Sequence, residues 1–406
     1  MLNKNLKNFS WVLLSNLVMA FSKWLILIIL ARTTDPNMVG IYALSLAIIS
    51  PISLFSNYKL RSLFVSEENP NFGNFIFLRV VLDIISLIIL MIISISLYPQ
   101  YFIIILLISL IKIIDLHSEL IYSVSHYYRR YNFYSKLIIG KYIVNIVVFG
   151  YFIYIFKNLQ YALVAQLITQ FLYLIYEYLI TFYKFKITFL SLQFKVKEIK
   201  RYAIIGFPLG LTMFVVSFNA SLPRYLLEEY YSTELLGIFA TIAYLATIGN
   251  LFTSAITQNI LPTLRRYRDK NLYSKIDDIV FKYSFLITLL LMIIASIITY
   301  LVGDLILLVI YGEEYRGYSL TFIVIVLSVL INGYSAILDN VLLTLKLIKF
   351  QYVISIFMLV INIITSFLLV LKFGILGAAL TMLVVNIIQL IIRILYYRYS
   401  RGGETI

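Results

Sequence analysis

Stretches of about 20 apolar residues, separated by short polar or charged segments, recur along the whole chain. A helix of this length matches the thickness of the hydrocarbon core of a bilayer. Twelve such runs are centred near residues 20, 49, 86, 113, 146, 172, 212, 248, 290, 331, 361 and 386. The pattern therefore predicts an all-α integral membrane protein with about 12 transmembrane helices.

Two of these runs contain helix-breaking residues. The second run contains Pro51 and is expected to be broken there, and the seventh contains GFPLG at residues 206–210. Glycine and proline are tolerated in membrane helices where neighbouring groups satisfy the freed backbone, and they often mark bends. The first run, residues 9–31, is too long for the apolar part of a signal peptide, so we expect a first membrane span and not a leader.

The basic residues follow the topology that the runs define. If the N-terminus faces the cytoplasm, segments assigned to the inside hold about five times as many Lys and Arg residues as those assigned to the outside. Lys141 and Arg393 are counted among the inside charges. The pattern predicts a multi-pass protein of a bacterial cytoplasmic membrane with both termini in the cytoplasm. It also explains the net charge of +14 without nucleic acid as a partner.

Composition narrows the chemistry further. The chain of 406 residues is 62% hydrophobic and only 13% charged, which excludes an ordinary soluble domain. The absence of cysteine excludes disulfides and thiolate chemistry, and two histidines leave little for a metal site. We therefore expect no metal site, and we expect no cofactor.

The chain divides into two halves that resemble each other. The longest connection, residues 184–201, is basic and is predicted to be cytoplasmic. It would join an N-terminal lobe of six helices, residues 1–183, to a C-terminal lobe of six, residues 202–406. MVGIYALSLA at residues 38–47 resembles LLGIFATIAYLA at residues 235–246. Repeated halves with a site between them are typical of alternating-access transporters.

Charged residues lie inside several of the predicted spans. The fourth span carries Lys112, Asp115 and Glu119 at i, i+3 and i+7, which places them on one helix face. Each charge costs roughly 2.5–3.5 kcal/mol near a helix centre, whereas each Leu, Ile, Phe or Val returns about 0.3–0.6 kcal/mol. This span is therefore close to neutral for insertion, and its charged face should look into protein or water.

The other intramembrane charges are dispersed over several helices. Arg79 and Asp83 form an i, i+4 pair on the third span, and Lys23 on the first shares a face with Asn16. The remaining acidic residues are Glu177 and Asp339. Two interpretations stay open, because these groups could be structural ion pairs or could line a cavity for a polar or anionic solute. Isolated Lys23 favours the second interpretation.

Three segments resemble the polysaccharide flippases of the multidrug/oligosaccharidyl-lipid/polysaccharide exporter superfamily, which translocate repeat units of O-antigen or capsule. They are residues 8–52, 111–138 and 206–245, and LPTLRRY (residues 261–267) and YGEEY (residues 311–315) resemble later landmarks of the same family. The resemblance covers nearly the whole chain, but none of its motifs is catalytic.

The resemblance implies two six-helix lobes that form a V around a cationic cavity. It also implies an oligosaccharide on undecaprenyl diphosphate as substrate, moved from the inner to the outer leaflet. Lys23 matches a basic position of the first helix that lines the cavity in this family, and Arg224 and Lys112 match other recurrent polar positions. A polysaccharide polymerase and a chain-length regulator are the implied protein partners.

From these residues we expect alternating access. Lys23, Arg79, Lys112, Arg224 and Asn16 would contact the substrate. The carboxylates would couple transport to a proton or sodium gradient; they are Asp83, Asp115, Glu119, Glu177 and Asp339.

Two other functions stay open at this point. A multidrug cation antiporter would require an acidic central cavity, and a membrane polysaccharide polymerase or ligase would require a large outer loop rich in Arg and His. The unpaired central charge is basic, and the predicted outer connections are short and lack histidine.

Overall fold

A computed structural model describes residues 2–187, 194–345, 347 and 349–402. Every regular element in this part is helical, which confirms the predicted fold class of an all-α membrane protein. The helices are α1 Leu2–Thr33, α2 Pro36–Asn57, α3 Leu60–Ser66, α4 Phe72–Leu97, α5 Phe102–Tyr127, α6 Tyr131–Phe156, α7 Leu159–Phe185, α8 Val196–Tyr230, α9 Thr233–Asp269, α10 Tyr273–Asp277, α11 Phe285–Tyr311, α12 Ser319–Thr344 and α13 Lys349–Gly402.

Ten candidate spans in the described part are long and apolar enough to cross a membrane. Several begin at a polar residue whose side chain accepts a hydrogen bond from a free backbone N–H of the first turn. Asp35 accepts from Met38 N at 2.7 Å at the start of α2, and Asn71 and Asn158 cap α4 and α7 in the same way. Short polar connections thus define where the apolar runs begin.

The 54-residue helix α13 is a hairpin of two legs. Gly374 has φ +56° and ψ −127°, a conformation that favours glycine, and it interrupts the helix. Thr381 Oγ1 lies 3.4 Å from the carbonyl oxygen of Thr365, although a straight helix would separate these residues by about 24 Å. Ile354, Met358 and Val385 pack together, so the legs are antiparallel. The predicted total of twelve spans stays a prediction.

The second predicted span is interrupted, but not at Pro51. Helix α2 continues through Pro51 to Asn57. It ends at Tyr58 and Lys59, which both adopt the left-handed conformation, with φ of 51° and 50°. Two successive residues in the left-handed region end the α2 helix, because right-handed helical geometry cannot continue through them. The predicted break at Pro51 is therefore wrong, and the helix ends about two turns later, at Asn57.

The chain forms two compact units, residues 1–218 and 219–406. The division falls inside α8, so the first part of this helix belongs to the N-terminal unit. Asn74 Nδ2 donates to Glu198 at 2.6 Å, and Arg201 pairs with Glu67 at 2.8 Å. The predicted lobe boundary at residues 184–201 lies before this point, and the assignment of six helices to each lobe stays a prediction.

Tyr58 lies against two glycines of α8, four residues apart. A methyl group on Gly206 would overlap the Tyr58 ring, and one on Gly210 would lie 2.6 Å from the carbonyl oxygen of Phe55. Tyr58 is buried and meets Phe55 edge to face. The GFPLG sequence therefore provides a surface on which the end of α2 packs, as small residues four apart commonly do in membrane helices.

We expect Gly206→Ala to lower the melting temperature of the detergent-solubilised protein. An overpacked helix contact costs about 1–3 kcal/mol, although alanine is ordinarily the better helix former. Gly150→Ala is the matched control, because its added methyl group would lie at an ordinary 3.4 Å from Ile29. In a Tyr58→Ala background, Gly206→Ala should cost little. An equal cost in both backgrounds would show that Tyr58 is not the obstacle.

Candidate functional site

Arg79 and Asp83 of α4 form the predicted i, i+4 ion pair. Arg79 Nε lies 3.0 Å from Asp83 Oδ2, and Nη2 lies 2.7 Å from Oδ1. Arg79 Nη1 donates to the carbonyl oxygen of Ser56 at 2.7 Å, and Nη2 also donates to the Ser56 hydroxyl at 3.1 Å. Arg79 is only 1% exposed. Its donors are therefore largely occupied by α2 and α4.

His117 extends this pair to two further helices. Its Nε2 lies 3.0 Å from Asp83 Oδ2, and its Nδ1 lies 3.1 Å from the hydroxyl of Tyr178 on α7. The Asp83 carboxylate is thus contacted by Arg79 of α4 and His117 of α5, and Tyr178 of α7 holds the other nitrogen of His117. This geometry favours the structural interpretation for Arg79 and Asp83, since a substrate would have to displace existing partners.

Lys141 is the principal correction to the sequence analysis. It was counted among the loop charges, but it lies ten residues inside α6 and is only 3% exposed. Its Nζ contacts Asp115 Oδ1 at 2.7 Å and Ser118 Oγ at 2.9 Å, both on α5. Asp115 is therefore paired with another helix and not with Lys112 of its own. A buried ion pair with an additional hydrogen bond fixes the relative rotation of α5 and α6.

Glu177 of α7 lies next to this pair and is fully buried. Tyr122 of α5 donates its hydroxyl to Glu177 Oε1. Within the described part of the chain, Oε2 has no hydrogen-bond partner. The charges of Lys141 and Asp115 both act on Glu177. One ammonium group thus lies near two carboxyl groups, of which Glu177 is fully buried and Asp115 is partly buried.

Lys23 and Lys112 differ from these residues because no described carboxylate lies within ion-pair distance of either. Lys23 Nζ is 6.0 Å from the centre of the Tyr142 ring. The charges of Lys112, Asp115, Lys141 and Glu119 all act on Lys23, so the structure brings the charged face of α5 close to α1. Glu119 is held by Asn57 Nδ2 at 2.8 Å. This region of the N-terminal unit thus holds two ammonium groups that have no described carboxylate within ion-pair distance.

The remaining predicted residues are distributed differently. Asn16 is exposed on the surface of α1, and nothing in its surroundings distinguishes it as a site. In the C-terminal unit, Asp339 pairs with Arg393 at 3.0 Å, and Arg393 Nη1 also donates to Ser335 Oγ at 2.7 Å. Arg224 of α8 has a buried Nε without a hydrogen-bond partner in the described part. It lies near Tyr225 and Tyr244, and no described carboxylate pairs with it.

The sequence analysis missed Lys141, Arg393, Ser56, Tyr122 and Asn57 as partners of the intramembrane charges. One signal was available for Lys141, because it and Asn145 lie four residues apart on one face of an otherwise apolar run. The other residues look like ordinary polar positions of a membrane helix. Only the packing of the helices reveals their roles.

Comparisons with known proteins identify a protein family from the sequence and similar folds among solved structures. Residues 29–320 match a family described as polysaccharide biosynthesis proteins. The capsular polysaccharide biosynthesis protein CapF of Staphylococcus aureus is 32% identical over 399 residues, which is 97% of this chain and 99% of CapF.

Among solved structures, the lipid II flippase MurJ in an inward closed conformation is similar at a TM-score of 0.73 and 15% identity. The similarity covers 95% of this chain and 87% of MurJ. An inward-facing multidrug transporter of the MATE family has a TM-score of 0.68 at 12% identity, with 95% of both chains covered. At these identities the two structures show the fold alone.

We expect Lys141→Met to destabilise the protein far more than Lys112→Met. Removing Lys141 leaves Asp115 buried without its cation, which costs about 3–5 kcal/mol, whereas Lys112 gives up no ion pair. Thermal unfolding in detergent would measure both effects. Adding Asp115→Asn to Lys141→Met should recover most of the loss, since no uncompensated charge then remains. Equal melting temperatures for the two single variants would contradict this assignment.

Proposed function

Because this chain belongs to the family of polysaccharide biosynthesis proteins, we propose that it is a flippase for oligosaccharide repeat units linked to undecaprenyl diphosphate. It would move them by alternating access from the inner to the outer leaflet of a bacterial cytoplasmic membrane, for capsule, exopolysaccharide or O-antigen synthesis. A polymerase and a chain-length regulator would use the product. The flippase MurJ and the relative CapF support a lipid-linked substrate of this kind.

The observation that carries the proposal is the set of unpaired cations. A lipid diphosphate carries about two negative charges, and cationic donors are its strongest partners where water is scarce. Lys23 and Lys112 supply two ammonium groups without competing carboxylates in the N-terminal unit, and Arg224 supplies a guanidinium in the C-terminal unit. Arg79 is a weaker candidate for this role, because Asp83 and Ser56 already bind it.

The runner-up is a cation antiporter like the multidrug transporters with the same fold. A binding site for organic cations should present free carboxylates. Here Asp83, Asp115 and Asp339 are each paired with a basic residue, whereas Glu119 and Glu177 are held by the uncharged side chains of Asn57 and Tyr122. Binding of organic cations by the purified protein would favour this alternative over the flippase.

We expect Lys23→Ala, Lys112→Ala and Arg224→Ala each to abolish or strongly reduce surface polysaccharide in cells that depend on this protein. Each change removes a cation that has no described carboxylate partner in its own unit and could bind a phosphate, and each charged contact contributes roughly 1.5–3 kcal/mol. Lys23→Arg should retain activity, because it keeps the charge. Surface polysaccharide would be quantified alongside the amount of protein inserted in the membrane.

The control is Lys157→Asn, which removes an exposed lysine at the end of α6 where asparagine tolerates the left-handed backbone. Unchanged polysaccharide from properly inserted Lys23→Ala and Lys112→Ala would contradict the diphosphate site. Loss of polysaccharide in the Lys157→Asn variant would show that the assay responds to charge in general.

Coupling to a proton gradient would use the buried acid Glu177. An isolated ionised carboxylate is costly in the interior of a bundle, and neutralisation by a proton removes that cost. With Glu177 neutral, Lys23, Lys112 and Lys141 outnumber Asp115 and Glu119, and the region attracts an anion. Ionisation of Glu177 would cancel that surplus. The titratable groups around it are Tyr122 and Asp115 of α5, Lys141 of α6, and Tyr173 and Tyr178 of its own helix.

We expect Glu177→Gln to make transport independent of a proton gradient. The amide mimics the protonated acid and cannot exchange a proton, so substrate binding should persist while acceleration by the gradient is lost. The rate at which a fluorescent lipid-linked sugar moves between the leaflets of protein-containing vesicles, with and without an imposed proton gradient, would measure this dependence. Glu229→Gln, an exposed position near the end of α8, should behave like the unmodified protein. A retained response to the gradient in Glu177→Gln would exclude Glu177 as the coupling group, and a response to sodium alone would exclude protons.

A further inference from the structure

The last two turns of α9 carry a basic groove that the proposed transport cycle does not use. One side of the helix lines the groove, which encloses a cavity of about 420 Å³. This volume is within the usual range for ligand sites. The described lining residues are Leu261, Pro262, Arg265, Arg266, Asp269 and Lys270. Residues four apart on a helix lie above one another, so this groove has an apolar end and a cationic end.

The opposite side of α9 fixes the direction of this groove. Leu264 is fully buried and packs with Leu338, Val341 and Leu342 of α12. Arg265 and Arg266 follow it directly in the chain and are exposed. The core contact therefore turns the basic stripe away from the protein interior.

The groove carries three cations and no available acid. Asp269 is already bound by Arg268, whose Nε and Nη2 lie 3.0 Å and 2.7 Å from its Oδ1. Arg268 is itself anchored through Nη1 to the carbonyl oxygen of Thr344 at 2.7 Å. Within the ranges that the structure covers, no carboxylate pairs with Arg265, Arg266 or Lys270.

Three like charges within two helical turns repel one another, and an anion would relieve this repulsion. Helix C-termini and the cytoplasmic ends of membrane helices favour cations in general, but neither effect requires a cavity with an apolar end. Arginine forks match the geometry of a phosphodiester, and basic pockets at the cytoplasmic ends of membrane helices suit anionic lipid headgroups. Leu261 and Pro262 lie on the N-terminal side of the arginines, towards the apolar run near residue 248 that the sequence predicts to span the membrane.

We propose that this groove binds the phosphate headgroup of an anionic phospholipid, with Arg265, Arg266 and Lys270 as donors and Leu261 and Pro262 against the glycerol and first acyl carbons. The lipid would be a resident of the predicted cytoplasmic leaflet and not the transported substrate. The site lies wholly within the C-terminal unit and does not depend on the diphosphate site around Lys23 and Lys112.

The test is lipid titration of the full-length protein in detergent, followed by native mass spectrometry. Phosphatidylglycerol should bind the unmodified protein more tightly than phosphatidylcholine. The variant Arg265→Gln/Arg266→Gln/Lys270→Gln should bind phosphatidylglycerol about 100-fold more weakly, since each basic residue near an anionic lipid contributes about fivefold. The control Lys195→Gln/Lys197→Gln/Lys200→Gln removes equal charge from an exposed stretch at the start of α8 and should bind as before.

Further arms of the experiment separate the alternatives. Arg265→Lys/Arg266→Lys keeps the positive charge but loses the paired donors of the guanidinium. An intermediate phosphatidylglycerol affinity would support recognition of the phosphate. This variant also serves if the triple change impairs folding, which the melting temperature in phosphatidylcholine would reveal. Equal phosphatidylglycerol affinity in the groove and control variants would overturn the proposal. Inorganic phosphate that competes fully at millimolar concentration would assign the groove to a soluble anion instead.

Discussion

The contact between Lys141 and Asp115 is the interaction on which the N-terminal unit depends. Neither residue could remain charged inside an apolar bundle alone, because each would lose its hydration without compensation. Their pairing at 2.7 Å, with Ser118 as a further acceptor, brings α5 and α6 together at a single rotation. That rotation decides which side chains of α5 remain without partners. The free ammonium of Lys112 is thus a consequence of where Lys141 lies, as is the position of Glu177 beside the pair.

Two kinds of intramembrane charge can be distinguished by their partners. Arg79, Asp83 and His117 satisfy one another and join four helices. Such groups stabilise the arrangement of the bundle but have little capacity for a ligand. Lys23, Lys112 and Arg224 are each left without a carboxylate in the described part. Unpaired charges inside a membrane protein are costly, and the proposed diphosphate substrate would compensate for that cost.

Local features of this fold follow from the sequence, whereas contacts between distant residues do not. The apolar runs near residues 86 and 113 became α4 and α5, and the i, i+4 spacing of Arg79 and Asp83 sufficed to predict their pair. Lys141 was misassigned because a lysine near the start of an apolar run looks the same whether it lies in a loop or inside a helix. Its partner is 26 residues away on another helix, and no periodicity encodes that distance. The break after α2 was misplaced for a related reason, since two left-handed residues leave a weaker mark in sequence than one proline.

The contact of Tyr58 with Gly206 and Gly210 has a consequence for how the chain can be divided. Its repeated halves suggest that it could be expressed as two fragments cut at the long connection before α8. Such a cut would place the glycines on the second fragment and their tyrosine on the first. The two fragments would then have to associate through a surface that normally packs within one compact unit. The boundary predicted from the resemblance of the two halves and the boundary between the compact units therefore fall at different residues.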